Sequence, residues 1–220
     1  MTKFTSICRL LVVAALLAGC QTAGSGLTKA EQAESAKIAQ TVPIADLHDH
    51  DNYARFRGQD VGVVWAGLGS KSGDRGSWMY IKKQSGDKRI AWAGQSEFNS
   101  AYFAGGMNDP NNMTLVELYK ESEKDLADGV IVGIGELFIN NRTSNPKASF
   151  RRKTKADAPV IRKFFDLVAK YDGFLAFHMQ ADGDSMEQLG KLLASNRKGR
   201  VLWNHCGTDS SASDVRSMMD

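Results

Sequence analysis

The sequence predicts an α/β fold whose parallel strands close into a barrel. Three observations carry this expectation. Short apolar runs alternate with amphipathic helical runs, the pattern of a parallel sheet under helical cover. Helix start and stop signals sit between those runs, where a strand–helix alternation needs them. Residues able to bind a metal follow at least four of the runs. An open doubly wound sheet usually feeds its site from fewer strands, whereas a barrel collects side chains from many strand ends at one mouth. The expected architecture is therefore a (β/α)8 barrel of the TIM type, with six of its eight units legible in the sequence.

The 220 residues are 42% hydrophobic and 24% charged, which suits one globular domain with a real core. A net charge of +3 gives no argument for nucleic acid. The basic run Arg151-Arg152-Lys153 with Lys155 reads as a solvated loop ahead of a helix.

Residues 1–19 read as an export signal. Lys3 and Arg9 flank the short apolar stretch Leu10 to Leu17, which is too short for a permanent membrane helix. The segment ends in Leu17-Ala18-Gly19-Cys20, which resembles a bacterial lipoprotein cleavage box. The resemblance implies lipid on Cys20 and an exported protein held on the cell envelope without spanning it. Cys8 then leaves with the signal and Cys206 is the one remaining thiol, so no intrachain disulfide is expected. Residues 20–41 form a tether and a short helix, in which Thr28 and Glu31 have capping-box spacing. The barrel domain is expected over residues 42–220.

Within it the elements follow in order. Pro43 to His50 is a first strand and Val61 to Ala66 a second. Gly67 to Gly76 is rich in Gly, Ser and Lys and reads as a loop at the barrel mouth. It fits neither dinucleotide nor P-loop spacing. Trp78 to Lys82 suits one arm of a hairpin, and Arg89 to Gly94 is a third strand. Asn112 to Asp128 is a helix, with Thr114 as cap, Glu117 completing its box and Gly129 as the left-handed stop. Val130 to Gly135 is a strand that ends in Glu136. Asp157 caps the next helix and Pro159 occupies its first turn. Ile161, Phe164, Phe165 and Val168 form its buried stripe, and Gly173 ends it. Phe174 to Phe177 is a strand. Met186, Leu189, Leu192 and Leu193 mark a further helical face, Val201 to Trp203 a sixth strand, and Ser213 to Met219 the start of a sixth helix. Trp78, Tyr80, Trp92, Tyr102 and Phe103 are core residues by default.

The four histidines carry the chemistry. His48 and His50 lie two apart on a strand, so both face one side with Cα atoms about 7 Å apart. Asp49 points the other way. Glu136, His178 and His205 each follow a later strand. Imidazole and carboxylate are the usual ligands of zinc and similar divalent ions. Singly, each residue reads better as a hydrogen-bonded core group; together, in one strand register, they read as one metal site. Period two turns Cys206 away from the face of His205, so it reads as buried filler.

This ordered set, His-x-His on the first strand, Glu after the fourth, and single His after the fifth and sixth, resembles the metal-dependent amidohydrolase superfamily. The runs that carry it are Val42 to His50, Val132 to Leu137 and Val201 to Gly207. The resemblance implies that His48 and His50 bind one metal, that Glu136 binds or bridges, and that His178 and His205 complete a mono- or binuclear centre, with zinc as the expected ion. It implies hydrolysis of an amide, ester or lactone in a small-molecule substrate by metal-activated water. A metal-dependent decarboxylase of the same superfamily, or a non-catalytic metal- or partner-binding lipoprotein, is an alternative. The family's eighth strand supplies an Asp that handles the proton, and by the same resemblance that residue is expected beyond residue 220. A homo-oligomer is left open.

Overall fold

The structure is a computed structural model that describes residues 28–41, 44–49, 63–69, 79–80, 83, 89–103, 106–109, 111–142, 151–208 and 210–219. The expectations on residues 1–27, on Cys20 and on His50 lie outside the described residues. The chain forms two units, and the first of them contains helix α1 (Lys29–Thr41). Thr28 and Glu31 cap α1 reciprocally: Glu31 N donates to Thr28 Oγ1 at 3.3 Å, and Thr28 N donates to Glu31 Oε2 at 2.7 Å. Both backbone donors would otherwise be orphans of the helix start.

The second unit is built on one sheet. Its strands are β1 (Ile44–Asp49), β2 (Val63–Gly69), β3 (Arg89–Gly94), β4 (Gly133–Asn141), β5 (Arg152–Lys153), β6 (Phe174–Met179) and β7 (Val201–Trp203). The order across the sheet is β1-β2-β3-β4-β6-β7, and every one of these neighbours pairs in parallel. β5 adds a short antiparallel pairing to the far end of β4. Spatial order thus follows chain order without a reversal, so the sheet has no switch point of the doubly wound kind. Among the described residues it is open, with β1 and β7 at its edges.

The helices of this unit are α2 (Gln95–Phe103), α3 (Met113–Ala127), α4 (Pro159–Lys170), α5 (Gly183–Ser195) and α6 (Ala212–Met219). Their apolar stripes make the core. Ile161, Phe164, Phe165 and Val168 of α4 are buried as their spacing predicts, and they share one cluster with Leu115, Leu118 and Leu126 of α3 and Leu189 and Leu192 of α5. Burying one such side chain contributes about 1.5–3 kcal/mol. Leu193, assigned to the same face of α5, is instead 36% exposed. Leu175 and Phe177 of β6 enter the core cluster. Strand alternation therefore sends Ala176 and His178 to the opposite face of the sheet.

Several boundaries differ from the sequence reading, each for a local reason. β4 begins at Gly133 and runs through Glu136 to Asn141, so the apolar run from Val130 is its approach and Glu136 lies inside the strand. β2 extends through Gly67 to Gly69, because parallel pairing with Ile90 to Trp92 holds those residues extended. Met79 and Tyr80 are helical and exposed, not an arm of a hairpin. Asn112, not Thr114, caps α3, accepting from Leu115 N at 3.2 Å, and Gly129 takes the left-handed conformation expected of it (φ 64°). Asp157 does not cap α4. Its carboxylate holds Arg162 at 3.2 Å, Ala158 takes the cap position, and Pro159 enters the first turn as expected. The left-handed residue after α4 is Asp172 (φ 58°), one before Gly173. Arg152 and Lys153 form β5 instead of a solvated loop. Trp92 is a core residue, fully buried with its ring edge-on to Phe174 at 5.6 Å. Tyr80 is 52% exposed and is not.

Candidate metal centre

Three of the expected ligands meet at the sheet. Glu136 Oε1 lies 2.9 Å from His178 Nδ1 and 3.1 Å from His205 Nε2. One potential ligand atom from each residue falls within a common sphere, all within 4.8 Å of one another. Glu136 is 2% exposed, His178 is largely buried, and the side chain of His205 is 40% exposed.

Each side chain is delivered by a specific distortion or pairing of its strand. In β4 a bulge falls between Ile134, which pairs with Leu175, and Leu137, which pairs with Phe177. Three steps of β4 thus oppose two of β6, and the extra residue re-aims the side chain beside it. That is how Glu136 leaves the apolar core while Ile134 and Leu137 both stay in it. Gly135 makes the bulge possible. Its φ is +150°, and a Cβ there would stand 2.6 Å from the Ala176 carbonyl oxygen. Only glycine fits both the conformation and the close approach of β6. His178 is set by alternation along β6 and pairs across the ladder with Phe138, whose ring lies edge-on to the imidazole at 5.0 Å. His205 follows a different rule. β7 ends at Trp203, and residues Asn204 to Gly207 form a single 3-10 turn in which His205 has φ +56°. That turn brings the imidazole to Glu136, 5.0 Å centroid to centroid from the ring of His178.

A buried carboxylate needs partners. Besides the imidazoles, Gln95 Nε2 donates to Glu136 Oε2 at 3.2 Å. The pairing of Gly94 with Gly135 across β3 and β4 places Gln95 beside Glu136. Gln95 thus holds one carboxylate oxygen and leaves the other toward the histidines. The hydrogen bond to Glu136 also favours the imidazolium of His205, raising its pKa above the ordinary value, while burial opposes the shift.

These donors fit a divalent ion. Two imidazoles and a carboxylate are a standard catalytic zinc set, with a fourth position left for water or substrate. Ligand bonds of about 2.0–2.1 Å set neighbouring ligand atoms about 3.3 Å apart; Glu136 Oε1 stands 2.9 and 3.1 Å from the two nitrogens, and the three atoms lie within 4.8 Å of one another. An ion held by these three residues would take the place of the two hydrogen bonds.

The structure brings together Glu136, His178 and His205. The backbone of His48 lies in β1, on the far side of β2 and β3 from β4; its side chain, those of Asp46 and Asp49, and that of Cys206 lie outside the described residues. Sequence reasoning missed Gln95 and Asn204. Both directly follow a strand, and a search that counted carboxamides along with imidazoles and carboxylates would have found them.

No family model, curated protein or solved structure matches the chain. Among the described residues no helix is long and apolar enough to cross a membrane.

Proposed function

We propose that this protein is a metal-dependent hydrolase, with zinc or a similar divalent ion held by Glu136, His178 and His205 and water activated against an amide, ester or lactone. The observation that carries the reading is the convergence of one buried carboxylate oxygen and two imidazole nitrogens from two strands and the turn after a third. When bound, such an ion supplies Lewis acidity and a nucleophilic water near neutral pH. Glu136 brings the negative charge that offsets the cation, and Gln95 holds its second oxygen so that Oε1 stays turned to the histidines. Phe138 keeps the ring of His178 in place. His205, the most exposed of the three, stands where a substrate can approach.

The proposed architecture is the (β/α) barrel that the strand order accommodates. Strands laid down in chain order, all parallel, are what such a barrel requires. In this reading His48 and His50 join the site as the sheet curls, and the exported chain is tethered through lipid on Cys20.

Metal analysis and turnover test the proposal. Purified protein should bind close to one equivalent of zinc or more, and His178→Ala should lower its zinc affinity by more than about 100-fold, since loss of a partner one shell further out already costs 10–100-fold. A panel of amide, ester and lactone substrates should show zinc-dependent hydrolysis. Zinc binding untouched by His178→Ala would sink the site.

A further inference from the structure

Asn204 is 3% exposed, and among the described residues neither its Nδ2 nor its Oδ1 has a hydrogen-bond partner. A buried carboxamide with both ends unmet is unfavourable for folding, and native cores seldom keep one without a reason. Asn140 offers the contrast within this molecule. It is equally buried, and its Nδ2 reaches Gln180 O, Asp182 Oδ2 and Ser185 Oγ within 3.3 Å, so that its Oδ1 alone is unmet among the described residues.

The position of Asn204 supplies the reason. β6 and β7 pair Ala176 with Leu202 and Phe177 with Trp203. Asn204 follows Trp203, the last residue of β7, and directly precedes His205 in the same turn. Trp203 packs on the core side, where its Nε1 donates to Met179 O at 2.7 Å, and it is itself extended (φ −90°, ψ 101°), so the chain turns the residues on either side of it toward the other face of the sheet. The unmet carboxamide thus stands next in sequence to the candidate ligand His205. Gln95, whose Nε2 holds Glu136, also keeps its Oε1 without a partner among the described residues.

We propose that Asn204 is a ligand-recognition residue of this site. Its carboxamide takes a substrate edge that carries a donor and an acceptor side by side, as in a lactam, a cyclic imide or a primary amide. Nδ2 donates to the ligand's carbonyl oxygen and Oδ1 accepts from its N–H. A neutral amide can do this without disturbing the charge balance around Glu136. The assignment rests on the proposed function for placing the reacting bond next to it.

The test uses two small probes of one shape, δ-valerolactam and cyclohexanone, which share a ring carbonyl but differ by an N–H. Binding is measured by calorimetry on zinc-loaded and on chelator-treated full-length protein, so turnover is not needed. The wild type should bind the lactam at least about tenfold more tightly, because a site with an unmet buried acceptor discriminates against a ligand lacking the donor. Asn204→Leu should bring the two within about twofold while keeping its zinc and its melting temperature, since no internal hydrogen bond is lost. Equal binding by the wild type overturns the proposal, as does a preference that survives in Asn204→Leu or a melting temperature that drops by several degrees in the variant. A wild type that prefers the lactam yet binds no zinc would overturn the metal reading and leave Asn204 assigned.

Discussion

Two carboxylates near the same end of the sheet have been neutralised in opposite ways. Asp182, at the start of α5, meets a full cation: Lys153 Nζ lies 2.9 Å from one of its oxygens and 2.8 Å from the other, and Ser185 N and Asn140 Nδ2 also donate to it. Burial pushes its pKa up, but the Lys153 ammonium and these donors outweigh that and hold it at about 2. Glu136 is far more buried, yet the partners described around it are two imidazoles and an amide. The first arrangement is closed, a clasp that fastens β5 to α5. The second gathers a carboxylate and two imidazoles, groups that are themselves metal ligands, around one buried oxygen. Burial alone does not separate the two carboxylates; the kind of partner does.

Four experiments break or sharpen this contrast. Glu136→Gln should have the largest effect. It keeps the shape and removes the charge, so zinc affinity should fall by more than about 100-fold (roughly 2.7 kcal/mol) with little loss of fold, as read by metal competition and circular dichroism. Gly135→Ala should cost about 2–4 kcal/mol in denaturant unfolding, because Cβ collides with the Ala176 carbonyl in a backbone conformation that disfavours it, and zinc should be lost along with stability. Gln95→Met should weaken zinc about tenfold at nearly unchanged stability. Lys153→Met should do the reverse, leaving zinc alone and costing about 1 kcal/mol, the full pKa shift being discounted because the Asp182 side chain is 39% exposed.

The same clasp sets an acid limit. The Asp182 carboxyl is depressed in the folded chain, so its contribution is complete above the ordinary value of 3.8 and is lost as pH falls toward about 2. Acid unfolding followed between pH 5 and 2 should show this loss in the wild type and a shallower slope in Lys153→Met.

How far the sequence revealed these features depends on what each one obeys. The six parallel strands were legible because each is an apolar run bounded by turn residues, and the α4 stripe because four large side chains keep helical spacing. His178 was legible for the same reason: alternation is a local rule. Glu136 was found as a strand end but lies within a strand, since the bulge that frees it depends on contact with β6, 40 residues later. His205 was placed correctly by a rule that does not apply to it, for its strand has already ended and a turn carries it in. Asp157 and Thr114 have the right residue types for caps. Arg162 engages Asp157 instead, and Asn112 takes the cap of α3, through contacts that spacing does not encode. Gln95 and Asn204 were overlooked because a carboxamide announces nothing until its surroundings are known.

The laying down of strands in chain order also sets a schedule of assembly. Glu136 and His205 are 69 residues apart, which is about 3–14 s of synthesis. During that interval β3 and β4 can pair and enclose Glu136 while one of its imidazoles has yet to be made. The nascent chain carries a carboxylate in its interior before the group that answers it exists. Only the arrival of β7 and its turn completes the ring of donors. A ribosome stalled before residue 201 should therefore hold an intermediate that binds metal more weakly than the full chain, and in which the β4 end of the sheet is open to proteases.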